Sequence, residues 1–239
     1  MENMNSLFNN KRILLVVAHP DDELLGLGAT MNKLITNYSC FVRVVILGEG
    51  ITSRSDKRDL DKYKEELVIH KQNIKDAQDA IGYQELSVYD FPDNRFDTVA
   101  LLDIIKIIEK EKNAFNPEII FTHHGGDLNI DHQRTFEAVM TATRPMQNEK
   151  VKTIITFETP SGTEWIASTD PRKFNPNLFI EVSKENVFTK IKGMESYEFE
   201  KRKYPHPRSP EALEIQGKRW GVAMGVEYAE AFCIVRTLI

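Results

Sequence analysis

Cysteine is nearly missing, with two residues in 239. Cys40 lies beside one strand-like apolar run and Cys233 within another, so both read as core filling rather than as a bridge or a metal pair. Long apolar runs are missing too: none approaches the roughly 20 residues that span a bilayer. Residues 1–10 lack the charged-then-apolar pattern of a signal peptide, and the expectation is a soluble, cytoplasmic protein. There is no excess of basic charge. Asp and Glu outnumber Lys and Arg, 36 to 31, for a net charge of −5, and the basic residues are scattered. That argues against a chain whose main work is gripping nucleic acid. The first strand has no glycine-rich turn after it but a proline and two acids, which would repel a pyrophosphate. Internal repeats and low-complexity tracts are also lacking.

What is present is an apolar fraction of 41%, enough for a sizeable core. A single domain over 1–239 is expected. Strand-length apolar runs fall at 12–18, 41–47, 86–90, 118–122 and 151–157, with later ones at 178–182 and 231–235; the last belongs at or near a sheet edge. Amphipathic stretches at 23–36, 57–81, 99–114, 133–143 and 211–224 read as helices, the second ended by Gly82 and the third cut short by Pro117. Strands alternating with crossover helices predict an α/β, Rossmann-like three-layer fold: a mostly parallel sheet flanked by helices. The segment 158–177, with three prolines and Trp165, reads as a long ordered loop near a site, where Trp165 is either core filler or a sugar-stacking ring.

Chemistry concentrates at two strand exits. Ala18-His19-Pro20-Asp21-Asp22-Glu23 follows the first apolar run, and His123-His124-Gly125-Gly126-Asp127-Leu128-Asn129-Ile130-Asp131-His132 follows the fourth, so four of the six histidines gather there. In open α/β sheets, ligands bind beyond the carboxyl ends of strands. Catalytic zinc takes three His, Asp or Glu ligands and leaves a position for water, and His19, Asp22 and His132 form such a set. The i to i+3 spacing of His19 and Asp22 lets one turn aim both at a point, while Asp21 projects toward the water as general base. Zn²⁺ is the expected ion, although Fe²⁺ and Co²⁺ accept the same donors. Plainer readings stand beside these: Asp21 and Asp22 as helix caps, His123 and His124 as a strand terminus with one ring packed and one solvated, Asp127 and Asn129 as turn formers, and His70 as a solvated helix residue.

The A-H-P-D-D-E at 18–23 and N-I-D-H at 129–132 resemble the PIG-L/LmbE-like zinc-dependent N-deacetylases. Supporting segments are Gly48-Glu49-Gly50 with Thr52-Ser53-Arg54, Phe91-Pro92-Asp93-Asn94-Arg95, and 225–232. The resemblance implies hydrolysis of the N-acetyl group of an N-acetylglucosamine-type sugar or conjugate by metal-bound hydroxide. It places the ligands on His19, Asp22 and His132, the base on Asp21, and an orienting role on Asp131. Glu49, Arg54, His70, Asp93 and Arg95 are implied at the substrate. Relatives carry a histidine where this chain has Asn129, so the oxyanion donor is either Asn129 or His206, held between Pro205 and Pro207 on an extended segment. A homo-oligomer acting on a small N-acetylated amino sugar is implied, with no nucleic acid and no membrane span. The rivals are an amidase on a larger sugar–thiol or nucleotide–sugar conjugate, and a non-catalytic sugar-binding protein on the same scaffold.

Overall fold

The computed structural model describes residues 7–238. Seven strands form one sheet: β1 (Arg12–Val17), β2 (Phe41–Gly48), β3 (Glu85–Phe91), β4 (Ile119–His123), β5 (Thr153–Phe157), β6 (Leu178–Glu181) and β7 (Ala229–Thr237). Their order is β3-β2-β1-β4-β5-β7-β6. The first five are parallel, whereas β7 runs antiparallel to both β5 and β6. β7 therefore lies inside the sheet, one place in from an edge formed by β6.

The helices are α1 (Asp22–Tyr38), α2 (Lys64–Ile81), α3 (Leu101–Phe115), α4 (Ile130–Ala142), α5 (Lys184–Met194) and α6 (Pro210–Met224). Strand β1 shows why three layers form. Ile13, Leu15 and Val17 join one buried cluster with α1, α2, α5 and Leu213 of α6, while Leu14, Val16 and Ala18 join the opposite one with α3 and α4. A strand covered on both faces reads as an unbroken apolar run. Each of these side chains is at most 1% exposed, and burying one the size of Val or Leu stabilises the fold by roughly 1.5–3 kcal/mol. Gly26 lets α1 lie against the sheet, since a Cβ there would stand 2.3 Å from the Phe157 ring.

Three features differ from the sequence expectations. Helix α5 was not anticipated. Helix α2 begins at Lys64 rather than Lys57, because 57–63 forms turns in which Arg58 is drawn to Glu49 and Lys62 N–H donates to Asp59 at 2.9 Å. The 204–209 segment is folded into turns, with His206 N–H donating to Lys203 O at 3.0 Å and Ser209 N–H to His206 O at 2.9 Å, rather than extended by its prolines. No helix among the described residues is long and apolar enough to cross a membrane.

Candidate metal centre

Strands β1 and β4 are parallel neighbours, and from β1 the chain winds one way through β2 and β3 while β4 and β5 lie on the other side. The crevice at such a reversal, beyond the strand carboxyl ends, is where open α/β sheets bind ligands. Both histidine-bearing loops leave into it.

Three side chains meet there. His19 Nδ1 and His132 Nε2 each lie 3.3 Å from Asp22 Oδ2, and the donor atoms of the three residues all fall within 4.8 Å of one another. Asp22 and His132 are buried, yet Asp22 Oδ1 and His132 Nε2 have no hydrogen-bond partner among the described residues. Buried polar atoms without partners are costly. Two imidazole nitrogens and a carboxylate turned toward one point are the donor set of a divalent cation, so these residues fit one.

Two other carboxylates orient the rings from behind. Asp131 Oδ2 lies 2.9 Å from His19 Nε2, while its Oδ1 accepts Phe96 N–H at 2.8 Å. Asp127 Oδ1 lies 3.2 Å from His132 Nδ1 and accepts Asn129 N–H at 2.8 Å. At His19 the hydrogen-bonded carboxylate on the far nitrogen fixes the tautomer and leaves the near one free to ligate, whereas at His132 the carboxylate stands within ion-pair distance without hydrogen-bond geometry. Asp131 thus stands against His19, and Asp127 stands likewise against His132, a neighbour that the sequence reading left as a turn residue. His123 stacks on His132 at 3.8 Å, but its Nε2 accepts Ala18 N–H at 3.0 Å and its Nδ1 meets Thr159. It is the packed member of its pair, engaged at both nitrogens; partly exposed His124 bonds to Arg172 O.

Charge follows burial. Desolvation pulls the His132 imidazolium down, and Asp22 and Asp127 more than reverse it, to about 9. The stacked His123 is pushed down to about 4 by burial and by its charged neighbour. Burial alone would raise Asp22, but His132 and His123 hold it well below the usual carboxylate range. Burial drives Asp21 well above that range, with Arg208 pulling the other way.

Asp21 sits at φ +100°, a left-handed conformation rare outside glycine. The twist separates its side chain from that of Asp22. Its Oδ2 accepts from Arg208 Nη1 at 2.7 Å, and Oδ1 makes no hydrogen bond among the described residues. Glu23 supports it from below, accepting Asp21 N–H at 3.0 Å and the Tyr197 hydroxyl; burial raises Glu23 to about 7. The sequence reading missed Arg208. Its only signal was an arginine two residues after His206, in a segment read for its prolines.

A cavity of about 290 Å³ opens over these groups, and Asp21, Arg54, His70, Asp93, Asn129 and His206 all reach its wall. Glu49 and Arg95 do not. Glu49 is saturated by Thr52 and a two-pronged contact from Arg58, and Arg95 donates to Asp56 O at 2.8 Å, so both brace loops instead of facing a ligand. Asn129 is engaged at both ends: Oδ1 accepts Asp131 N–H at 2.8 Å as the cap of α4, and Nδ2 donates to Asn94 at 3.0 Å. It is poorly free to serve an oxyanion. His70 is buried rather than solvated, against Gly50, whose φ of +67° and lack of a Cβ admit the ring. Burial pushes His70 down to about 4. Trp165 does not line the cavity; it is half exposed, with its ring edge-on to that of His206 at 5.9 Å.

Known proteins share this fold. Teicoplanin deacetylase Orf2, in its zinc inhibited form, superposes with a TM-score of 0.74 at 15% identity, covering 95% of this chain and 98% of that one. The 4-carboxy-2-hydroxymuconate hydratase GalB of Pseudomonas putida KT2440 does so at 0.69 and 17%, covering 96% and 98%. At such identities the likeness speaks to the fold alone, and the fold carries more than one reaction. In sequence, the uncharacterized deacetylase YaiS of Escherichia coli (strain K12) is 27% identical over 199 residues, 81% of this chain and 94% of its own length. The family model for PIG-L, GlcNAc-PI de-N-acetylase, matches residues 14–143, more than half of the chain and every residue gathered around Asp22, and this protein belongs to that family.

Proposed function

We propose that this protein is a divalent-cation-dependent N-deacetylase that releases acetate from an N-acetylglucosamine-type sugar or sugar conjugate. The observation that carries the reading is the convergence of His19 Nδ1 and His132 Nε2 on Asp22, with unpartnered donor atoms, under a cavity that Asp21 also lines. A divalent cation held by His19, Asp22 and His132 would lower the pKa of water from 15.7 toward about 7 and polarise the amide carbonyl. Zn²⁺ suits two imidazoles and a carboxylate, and Fe²⁺ or Co²⁺ would be accepted by the same donors.

The chain's own groups divide the remaining work. Asp21 takes the proton of the attacking water on Oδ1 while Arg208 holds Oδ2, then returns it to the departing amine. A carboxyl whose pKa is raised by burial is suited to both halves of that exchange. His206 Nδ1 accepts Arg208 N–H at 3.1 Å, so its neutral ring carries the proton on Nε2 and has a donor for the oxyanion. Burial and the nearby Arg208 and Arg202 lower the His206 pKa and keep that ring neutral. Arg54, His70 and Asp93 face the sugar.

The test is metal analysis joined to an amine-release screen over N-acetylglucosamine, chitobiose and nucleotide-linked acetamido sugars. Metal-loaded wild type is expected to release amine, and Asp21→Asn to lose about 10²–10⁴-fold in turnover with its metal retained. Metal-loaded protein that releases no amine from any of these probes would overturn the reading.

A further inference from the structure

Three guanidinium groups face the cavity, those of Arg54, Arg202 and Arg208, in a chain of net charge −5. Three carboxylates face it too, Asp21, Asp93 and Glu200. Their pairing is uneven. Arg208 is spent on Asp21 at 2.7 Å and on the Ser161 hydroxyl at 2.7 Å, and stands 3.5 Å from Glu200. Asp93 accepts Ser53 N–H and the Asn94 amide, and lies 3.4 Å from His19. Arg54 and Arg202 are left to share Glu200. Both also donate to one carbonyl, Phe199 O, at 3.0 Å each, so the two donating nitrogens stand no more than about 6 Å apart. Two like charges held that close, over a single carboxylate, repel each other and leave positive charge uncompensated. Nε and Nη1 of Arg54 make no hydrogen bond among the described residues. Arg58, four residues on, is by contrast paired through Nε and Nη2 with both oxygens of Glu49, a carboxylate it shares with no other guanidinium among the described residues.

We propose that Arg54 and Arg202 form an anion subsite, which takes a carboxylate or phosphate carried by the substrate next to its acetamido group. The sugar half of this proposal rests on the deacetylase reading; the anion half rests on the arginine pair. Guanidinium forks match carboxylate and phosphate oxygens in pairs, which a lone ammonium cannot do. The spacing follows from Arg208, since Asp21 Oδ2 and Glu200 Oε2 both lie within 3.5 Å of its Nη1. Base and subsite are one guanidinium apart, so the amide and the acid are close neighbours on the substrate, as substituents of adjacent ring carbons are. Glu200 occupies the subsite as an internal counterion.

The test is calorimetric titration of metal-stripped protein, in which no turnover occurs, with three probes: N-acetylglucosamine 1-phosphate, N-acetylmuramic acid and the neutral methyl glycoside of N-acetylglucosamine. At least one acid is expected to bind about tenfold or more tightly than the glycoside, and which one does so tells phosphate from carboxylate. In Arg54→Gln/Arg202→Gln that preference disappears. Glu200→Gln, which removes the internal competitor, raises the preference several-fold; were the cluster only a brace between loops, this variant would leave the ratio as in wild type. Equal binding of all three probes by wild type, or a preference that survives the double variant, overturns the subsite. If metal is then restored and neither the preferred acid nor any probe of the amine-release screen yields amine, the deacetylase reading fails while the subsite stands.

Discussion

Asp21 and Asp22 are neighbours in sequence with opposite electrostatic fates, because one residue at φ +100° turns the first carboxylate toward Arg208 and leaves the second facing two imidazoles. Arg208 is thus the partner most directly coupled to the proposed base. Losing a charge-assisted hydrogen bond costs about 1.5–3 kcal/mol, so Arg208→Gln is expected to lower turnover roughly 10–100-fold with metal content unchanged, read by amine release and elemental analysis together. His206→Ala should also slow the reaction; unaltered kinetics would remove it from the oxyanion role. His70 has a signature in stability. Its pKa falls from 6.5 unfolded to about 4 folded, so its contribution is whole above pH 6.5 and is lost as pH drops toward 4. At about 1.4 kcal/mol per unit that amounts to roughly 3 kcal/mol. Urea unfolding of His70→Gln should accordingly show a shallower fall in stability between pH 6.5 and 4 than wild type. The sequence made His19, Asp22 and His132 visible, since adjacent acids after a strand-end histidine are a local pattern. Arg208 was not, because its contact with Asp21 is set by packing between segments far apart in the chain, and Asp127 was not, because an acid after two glycines is also an ordinary turn former.

Helix α4 shows how an element carries the site. Asn129 caps it, and the first turn then holds both Asp131 and His132. Removing a side-chain cap costs about 1 kcal/mol, so Asn129→Ala should lower stability by that amount and also weaken metal retention against a competing chelator. The comparison is Ser183→Ala at the capping box of α5, far from the cluster in sequence, with a similar loss of stability and unchanged metal retention. Helix α5 itself had a readable start in Ser183 and Asn186 and an apolar face in Val187, Ile191 and Met194, but it was passed over between a short strand and a proline-rich segment. The 57–63 error has the opposite cause: charge without apolar periodicity was counted as helix. Strand positions were legible from apolar runs, whereas their order was not, since neighbours such as β1 and β4 pair across about a hundred residues.

At the scale of the molecule, a cation held by His19, Asp22 and His132 would couple to the stability of the whole sheet, because these residues come from the exits of two central strands. Saturation to about 100 times the dissociation constant adds about 2.7 kcal/mol. Chelation is therefore expected to lower the melting temperature, and zinc to restore it; a midpoint indifferent to both would mean that no ion is held there. The family match ends at residue 143, whereas Ser161, Glu200, Arg202, His206 and Arg208 lie beyond it. The proposed ligands thus lie wholly within the matched part, whereas the cavity wall is completed from outside it, which is why the reaction class was easier to read than the substrate.

The antiparallel placement of β7 bears on how the protein is made. β6 pairs only with β7, yet leaves the ribosome well before it, and everything from α5 to α6 is looped out between the two. The five parallel strands can zip up while synthesis continues, but the partner of β6 arrives late, and with it the strand on which α6 packs. A nascent chain halted before residue 229 would then present the histidines and aspartates of the crevice while α6, which follows Arg208 directly, still lacked its seat.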